Sequence, residues 1–251
     1  MESVLGSLDL FTVLAGALVC FAAAALGGVA GMGSGLIVTL FITPIIGAKA
    51  VVPVISVLML INNASRVWFY RDALVPSRIA LIAGVAIPMS YLGAQIYVRL
   101  DGELIQVMLG GILIASIPLR RWMAGREMEP STVQVIAVSG LFGFLSSLIV
   151  GAGMLVIPML MGFGLVGPAL LATDAAIAVL VNLAKVAFFG SLDALSMPMF
   201  LLALAMGICT IPGTWAGAWV VRRTSVRVHT AFIEILIVLG GASLIWGGLS
   251  A

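Results

Sequence analysis

Charge is what this chain has least of. Of its 251 residues 9% are Asp, Glu, Lys or Arg, against 63% hydrophobic, and the mean hydropathy is +1.27. A water-soluble domain of this length cannot bury that much apolar surface, so a bilayer is its natural solvent. The formal net charge is only +2 and no basic block is present, which excludes a nucleic-acid partner. His229 is the only histidine and lies in a basic loop, which argues against a histidine-based metal site and against a Ser–His hydrolase built on Ser34. No Gly-x-x-x-x-Gly-Lys-Ser/Thr run occurs, so phosphate-loop ATP coupling is not written into the chain. No cofactor motif stands out, and no cofactor, metal or catalytic activity is expected. The two cysteines, Cys20 and Cys209, lie inside apolar runs and read as small core residues. Glu2 and Asp9, with no Lys or Arg, precede the first apolar run, so a cleavable leader is not expected.

What is present is a series of apolar segments, at about 10–30, 35–46, 50–70, 79–98, 103–119, 132–149, 153–163, 168–189, 197–221 and 228–249. Unbroken runs rich in Ala, Leu, Ile and Gly are helical spans rather than the alternating ten-residue strands of an outer-membrane barrel. Segments 35–46 and 153–163 are short for a hydrocarbon core of roughly 30 Å at 1.5 Å per residue, and read as half-helices or re-entrant pieces. Arginines collect in three loops, at Arg66, Arg71 and Arg78, at Arg120, Arg121 and Arg126, and at Arg222, Arg223 and Arg227. Cytoplasmic loops gather positive charge, so these are inner loops and both termini are expected outside, in the periplasm.

The two halves resemble each other. Gly33-Ser34-Gly35 aligns with Gly151-Ala152-Gly153, Asn63-Ala64-Ser65-Arg66 with Asn182-Leu183-Ala184-Lys185, and Asp72-Ala73-Leu74 with Asp193-Ala194-Leu195. Ile87-Pro88 then aligns with Ile211-Pro212, Gly93 with Gly217 and Arg99 with Arg223. Arg99 falls on an outer loop and Arg223 on an inner one, which is the mark of an inverted repeat. The expected fold is therefore all-α, a polytopic transmembrane helix bundle of two inverted five-segment repeats with short interrupted helices at the glycine-rich turns. Residues 1–121 form the N-terminal repeat, 122–131 an inner linker and 132–251 the C-terminal repeat.

Two constellations carry chemistry. The glycine runs, Gly33, Ser34 and Gly35 and their counterparts Gly151, Ala152 and Gly153, each precede a short segment. A helix starting there presents unpaired N–H groups and a positive dipole end to an anion. The competing reading is helix packing, because Gly27, Gly31 and Gly35, like Gly143, Ser147 and Gly151, are spaced four apart. The second constellation is a cation inside an apolar segment of each half: Arg66 three residues after Asn63, and Lys185, one of two lysines, three after Asn182. Such a charge costs roughly 3 kcal/mol to insert and faces a pathway unless it snorkels to the interface. Asp174 lies eleven residues before Lys185, close to three helical turns, on one face with Ala178 and Asn182. It reads as a proton-coupling group, a counter-ion or one side of a structural ion pair; its counterpart in the first half is about Ile55. Trp68, Phe69, Tyr70, Trp122 and Trp246 suit interfacial anchoring, and Gly213-Thr214-Trp215-Ala216-Gly217 suits close packing.

Over nearly its whole length the chain resembles the sulfite exporter TauE/SafE family, also called the toluene sulfonate uptake permeases. The resemblance rests on the paired glycine turns, above all Gly151-Ala152-Gly153-Met154-Leu155-Val156-Ile157-Pro158-Met159-Leu160. It rests also on Asn182, Lys185, Gly190 and Asp193, and on Pro212-Gly213 followed by Gly217 and Arg222. It implies ATP-independent transport of sulfite, organosulfonates or related sulfur-containing anions across the bacterial inner membrane. The partners expected are a small anionic substrate, membrane lipid and a second copy of the chain in a homodimer. A passive anion channel and a membrane assembly or sensor protein that transports nothing are the alternatives.

Overall fold

The computed structural model describes residues 10–30, 34–123, 130–221 and 226–250. They form ten α-helices and no strand. In chain order the helices are α1 (Leu10–Ala30), α2 (Ser34–Ile46), α3 (Ala48–Tyr70), α4 (Pro76–Tyr97), α5 (Gly102–Met123), α6 (Thr132–Leu148), α7 (Val156–Gly162), α8 (Gly167–Ser191), α9 (Met197–Val221) and α10 (Val226–Leu249). Short 3-10 turns at Arg71–Ala73 and Ala152–Leu155 precede α4 and α7. Each helix falls on one of the ten apolar segments, and the two short ones are α2, of 13 residues, and α7, of 7. By length and composition alone, four stretches suit a membrane crossing: Ala48–Ala73, Pro76–Tyr97, Gly167–Ser191 and Met197–Ala216. Large apolar side chains such as Leu18, Leu92, Val133, Leu201 and Trp246 face outward, as a lipid-facing surface requires.

Helices α3 and α8 pack against each other at the centre. Helix α9 lies against both α1 and α3, α4 lies against both α6 and α8, and α5 pairs with α10. Small residues set these contacts. Gly93 of α4 meets the backbone of Phe144, Gly143 of α6 meets that of Ala86, and Gly213 of α9 meets that of Phe21, so closely that a side-chain carbon at any of the three would collide with a carbonyl. Between α5 and α10, Gly110 and Gly241 face each other's carbonyls in the same way.

The helix ends follow from local chemistry. A capping box at Ser131 starts α6: the Gln134 N–H donates to the Ser131 hydroxyl and the Ser131 N–H to the Gln134 side chain. Gly47, at φ 79°, provides the one-residue break between α2 and α3. Inside α3, Pro53 has no N–H to give the Lys49 carbonyl. The Tyr97 hydroxyl at the end of α4 lies 3.3 Å from that carbonyl and 3.0 Å from the carbonyl of Ala48, and so covers the break. Residues 124–129 of the expected linker, with Arg126, Glu127 and Glu129, lie outside the described residues.

Candidate anion site

A cavity of about 160 Å³ lies between α2, α3, the Ala152–Leu155 turn and α8. Polar groups of the kind that would hold a small oxyanion line it, and a site of that size has room for several waters. Ser34, Gly35, Asn63, Arg66, Gly151, Ala152, Gly153, Asp174, Asn182 and Lys185 all line it. Of the residues singled out in the sequence as binding groups, Gly33 alone lies outside the described residues. The two glycine turns touch: Gly35 faces Val150, and Gly151 faces Leu36.

In the first half the described part of α2 runs from Ser34, and Ser34 and Gly35 line the cavity. In the second half Gly151 sits at φ 98°, a left-handed conformation that side chains disfavour, and turns the chain into the 3-10 segment. Gly153 has open space where a side chain would stand. The small residues divide by place: Gly143 packs against α4, whereas Gly151 and Gly153 line the cavity.

The cations are buried rather than snorkelled, with Arg66 7% and Lys185 6% exposed. Each is tethered to the asparagine one turn earlier. Arg66 Nη1 donates to Asn63 Oδ1 at 3.2 Å, while Asn63 Nδ2 donates to the Met59 carbonyl at 2.9 Å. Lys185 Nζ donates to Asn182 Oδ1 at 3.5 Å. Here the likeness ends. Arg66 Nη1 also lies 3.7 Å from Asp174 Oδ2, across the α3–α8 contact, whereas among the described residues no carboxylate lies within salt-bridge distance of Lys185. Arg66 Nη2 is buried and has no hydrogen-bond partner among the described residues. A buried guanidinium N–H left unpaired is costly, which is the condition a bound anion relieves.

Two residues of this neighbourhood escaped the sequence reading. Asn62 Nδ2 donates to Ser34 Oγ at 3.4 Å, and the Thr214 hydroxyl, from α9, donates to Asn62 Oδ1 at 2.9 Å. Thr214 stands in the run read as a packing motif, and Gly213 beside it does pack against α1. Two adjacent asparagines, Asn62 and Asn63, were the available signal for a polar centre in α3.

Comparison with curated proteins and with solved structures returned no match. The profile of the family described as Sulfite exporter TauE/SafE matches residues 16–244, which takes in every element that lines the cavity. The chain therefore belongs to the TauE/SafE sulfite exporter family, a family of membrane transporters.

Proposed function

We propose that this protein carries sulfite, organosulfonates or related small sulfur-containing anions across the bacterial inner membrane, by alternating access around the cavity between α2, α3 and α8. The observation that carries the reading is that two cations at corresponding positions, Arg66 and Lys185, enter one buried cavity together with both glycine turns. Its lining holds one acid against two bases among the described residues, so the cavity bears an excess positive charge inside a low-dielectric protein. An anion supplies the missing charge. The hydroxyl of Ser34, the amides of Asn63 and Asn182 and the N–H groups at the glycine turns supply directional contacts. Arg66 and Lys185 lie toward opposite ends of the cavity, since Asp174 beside Arg66 is about 16 Å along α8 from Lys185.

The helix pairing supports an inverted duplication with repeats at 1–121 and 132–251 joined by the 122–131 linker. Exchanging α1 to α5 with α6 to α10 turns the α1–α9 contact into α6–α4 and the α3–α9 contact into α8–α4, and returns α3–α8 and α5–α10 to themselves. Two such halves rock about a central site in alternating access. In this reading the arginine-rich loops are cytoplasmic and both termini periplasmic. A second copy of the chain is not needed, and nothing among the described residues supports a homodimer.

Purified protein in liposomes tests the reading. Sulfite or organosulfonate flux is expected to saturate and to accelerate when unlabelled substrate is present on the opposite face. Flux without saturation or acceleration indicates a channel, and the absence of any anion binding or flux indicates a protein that transports nothing. Normal flux in both Arg66→Ala and Lys185→Ala removes the cations from the mechanism.

A further inference from the structure

The duplicated cations are not equally available to a ligand, and this difference sets a rule about the charge of the cargo. Arg66 is engaged by a carboxylate of the protein itself, Asp174, at 3.7 Å, and the pair is neutral. The position that corresponds to Asp174 in the first half is Ile55, which also lines the cavity and brings no charge. Lys185 therefore keeps its charge uncompensated among the described residues, with only the neutral Asn182 amide at 3.5 Å. Arg66, Asp174 and Lys185 are the charged side chains among the described lining residues, and with all three ionised they sum to one positive charge.

We infer that the site is matched to a single negative charge: it takes monoanions, such as a sulfonate or the hydrogen sulfite form of its cargo, in preference to dianions of the same shape, and Asp174 sets that preference by occupying the charge of Arg66. The inference rests on the anion-transport reading and deepens it. The physical basis is that a dianion brings one negative charge more than the cavity neutralises. An unbalanced charge in a buried site is expensive, because water cannot screen it there. A monoanion leaves the site neutral. Along the cavity it meets the Lys185 ammonium at one end and, at the other, the free Nη2 donor of Arg66, whose Nη1 remains with Asp174 and Asn63. Replacing Asp174 by Asn keeps the shape and frees the Arg66 charge, which raises the cavity to two positive charges and makes it fit a dianion.

The test is competition binding to purified full-length protein in detergent, with methanesulfonate as the tetrahedral monoanion and sulfate as the tetrahedral dianion. The wild type is expected to prefer methanesulfonate by on the order of tenfold or more, the factor that about 1.4 kcal/mol produces. Asp174→Asn is expected to abolish or invert that ratio, and Asp174→Glu, which keeps the charge, to retain it. Asp72→Asn, at an exposed carboxylate outside the cavity lining, is expected to leave it unchanged. Equal or tighter sulfate binding by the wild type overturns the inference. So does an unchanged ratio in Asp174→Asn, or a ratio that moves with Asp72→Asn instead. If Asp174→Asn is not recovered folded, the wild-type ratio and the Asp174→Glu ratio decide alone, since loss of the preference in Asp174→Glu also overturns it. Failure of the wild type to bind either anion counts against the transport reading itself, which keeps the two outcomes distinct.

Discussion

The two halves of the cavity have the same architecture and different chemistry. Each contributes a glycine turn, a short helix, and a longer helix carrying an asparagine and a cation three residues apart. In the first half the cation is a guanidinium held by a carboxylate from the other half, and in the second it is an ammonium whose contact among the described residues is an amide. The choice of residue suits each place. A guanidinium has five donors, enough for Nη1 to serve Asn63 and Asp174 while Nη2 stays free, whereas an ammonium is a compact point charge. In the proposed duplication the frame is shared, and the departure from it, aspartate in one half against isoleucine in the other, supplies the net charge. The two ends are then expected to fail differently when broken.

Removing Arg66 is the larger disturbance. Arg66→Ala leaves Asp174 as a buried carboxylate without its partner, and breaking such a pair costs about 3–5 kcal/mol. A large loss of thermal stability is expected, part of which Arg66→Ala/Asp174→Asn recovers because the second change removes the orphaned charge. If the double variant is no more stable than the single one, the pair is not what holds Arg66. Removing Lys185 leaves no orphaned charge behind. Lys185→Ala is expected to keep its melting temperature close to the wild type while anion binding weakens on the order of a hundredfold, the equivalent of a charge-assisted contact of about 3 kcal/mol. The opposite result, a protein that melts early but binds normally, makes Lys185 a structural residue.

The turns offer a second comparison. At Gly151, φ 98° and the Leu36 side chain 2.8 Å from where a Cβ would stand both oppose a substitution. Gly151→Ala is expected to destabilise the protein by about 2 kcal/mol, the scale of a left-handed non-glycine residue with a steric contact added. Gly35 lies in regular helix, where the neighbours of a Cβ are Val150 at 3.2 Å and the flexible Met59 at 3.3 Å. Alanine also favours the helix over glycine there, so Gly35→Ala is expected to change stability by less than about 1 kcal/mol. Paired thermal melts read the difference, and equal losses at both positions remove the distinction between the turns.

Much of this frame was legible in the sequence, because a bilayer leaves a simple record of it. Apolar runs mark helices, and a glycine run before an unusually short helix marks an interruption, so α2 and α7 were visible before any geometry; arginines mark loops less well, since Arg66, Arg78, Arg120, Arg121 and Arg227 all stand within helices. The cations were visible for the same reason: a charge such as Lys185, inside an apolar helix, has few explanations. What the sequence could not separate was packing from cavity lining along a series of small residues, since Gly143 and Gly151 differ in backbone conformation and in what lies opposite them, and spacing records neither. Nor did it reveal that Asp174 reaches Arg66, more than a hundred residues earlier, rather than Lys185 on its own helix. Contacts between halves depend on how α3 crosses α8, and periodicity within either helix is silent about that.

Thr214 is the sharpest case of such a contact, and the smallest expected effect. A threonine in an apolar helix ordinarily satisfies its hydroxyl on the carbonyl four residues back, and Thr214 does lie 3.0 Å from the Thr210 carbonyl. It lies closer, at 2.9 Å, to Asn62 Oδ1, which orients the Asn62 amide so that Nδ2 faces Ser34 at the rim of α2. Helix α9 is thereby tied to the cavity by a chain of side-chain donors that runs through the centre of α3. Valine has the same shape without the hydroxyl, so Thr214→Val leaves the packing of Gly213 on α1 intact and removes only the donor to Asn62. A loss of about 1 kcal/mol in stability is expected, the usual size of one buried hydrogen bond. Anion affinity is expected to fall with it, because the Ser34 hydroxyl loses the neighbour that orients it. Thr214→Ser restores both if the hydroxyl is what matters. If Thr214→Val is as stable and binds as tightly as the wild type, the bond to the Thr210 carbonyl is the one the hydroxyl makes, and α9 touches the site through packing alone.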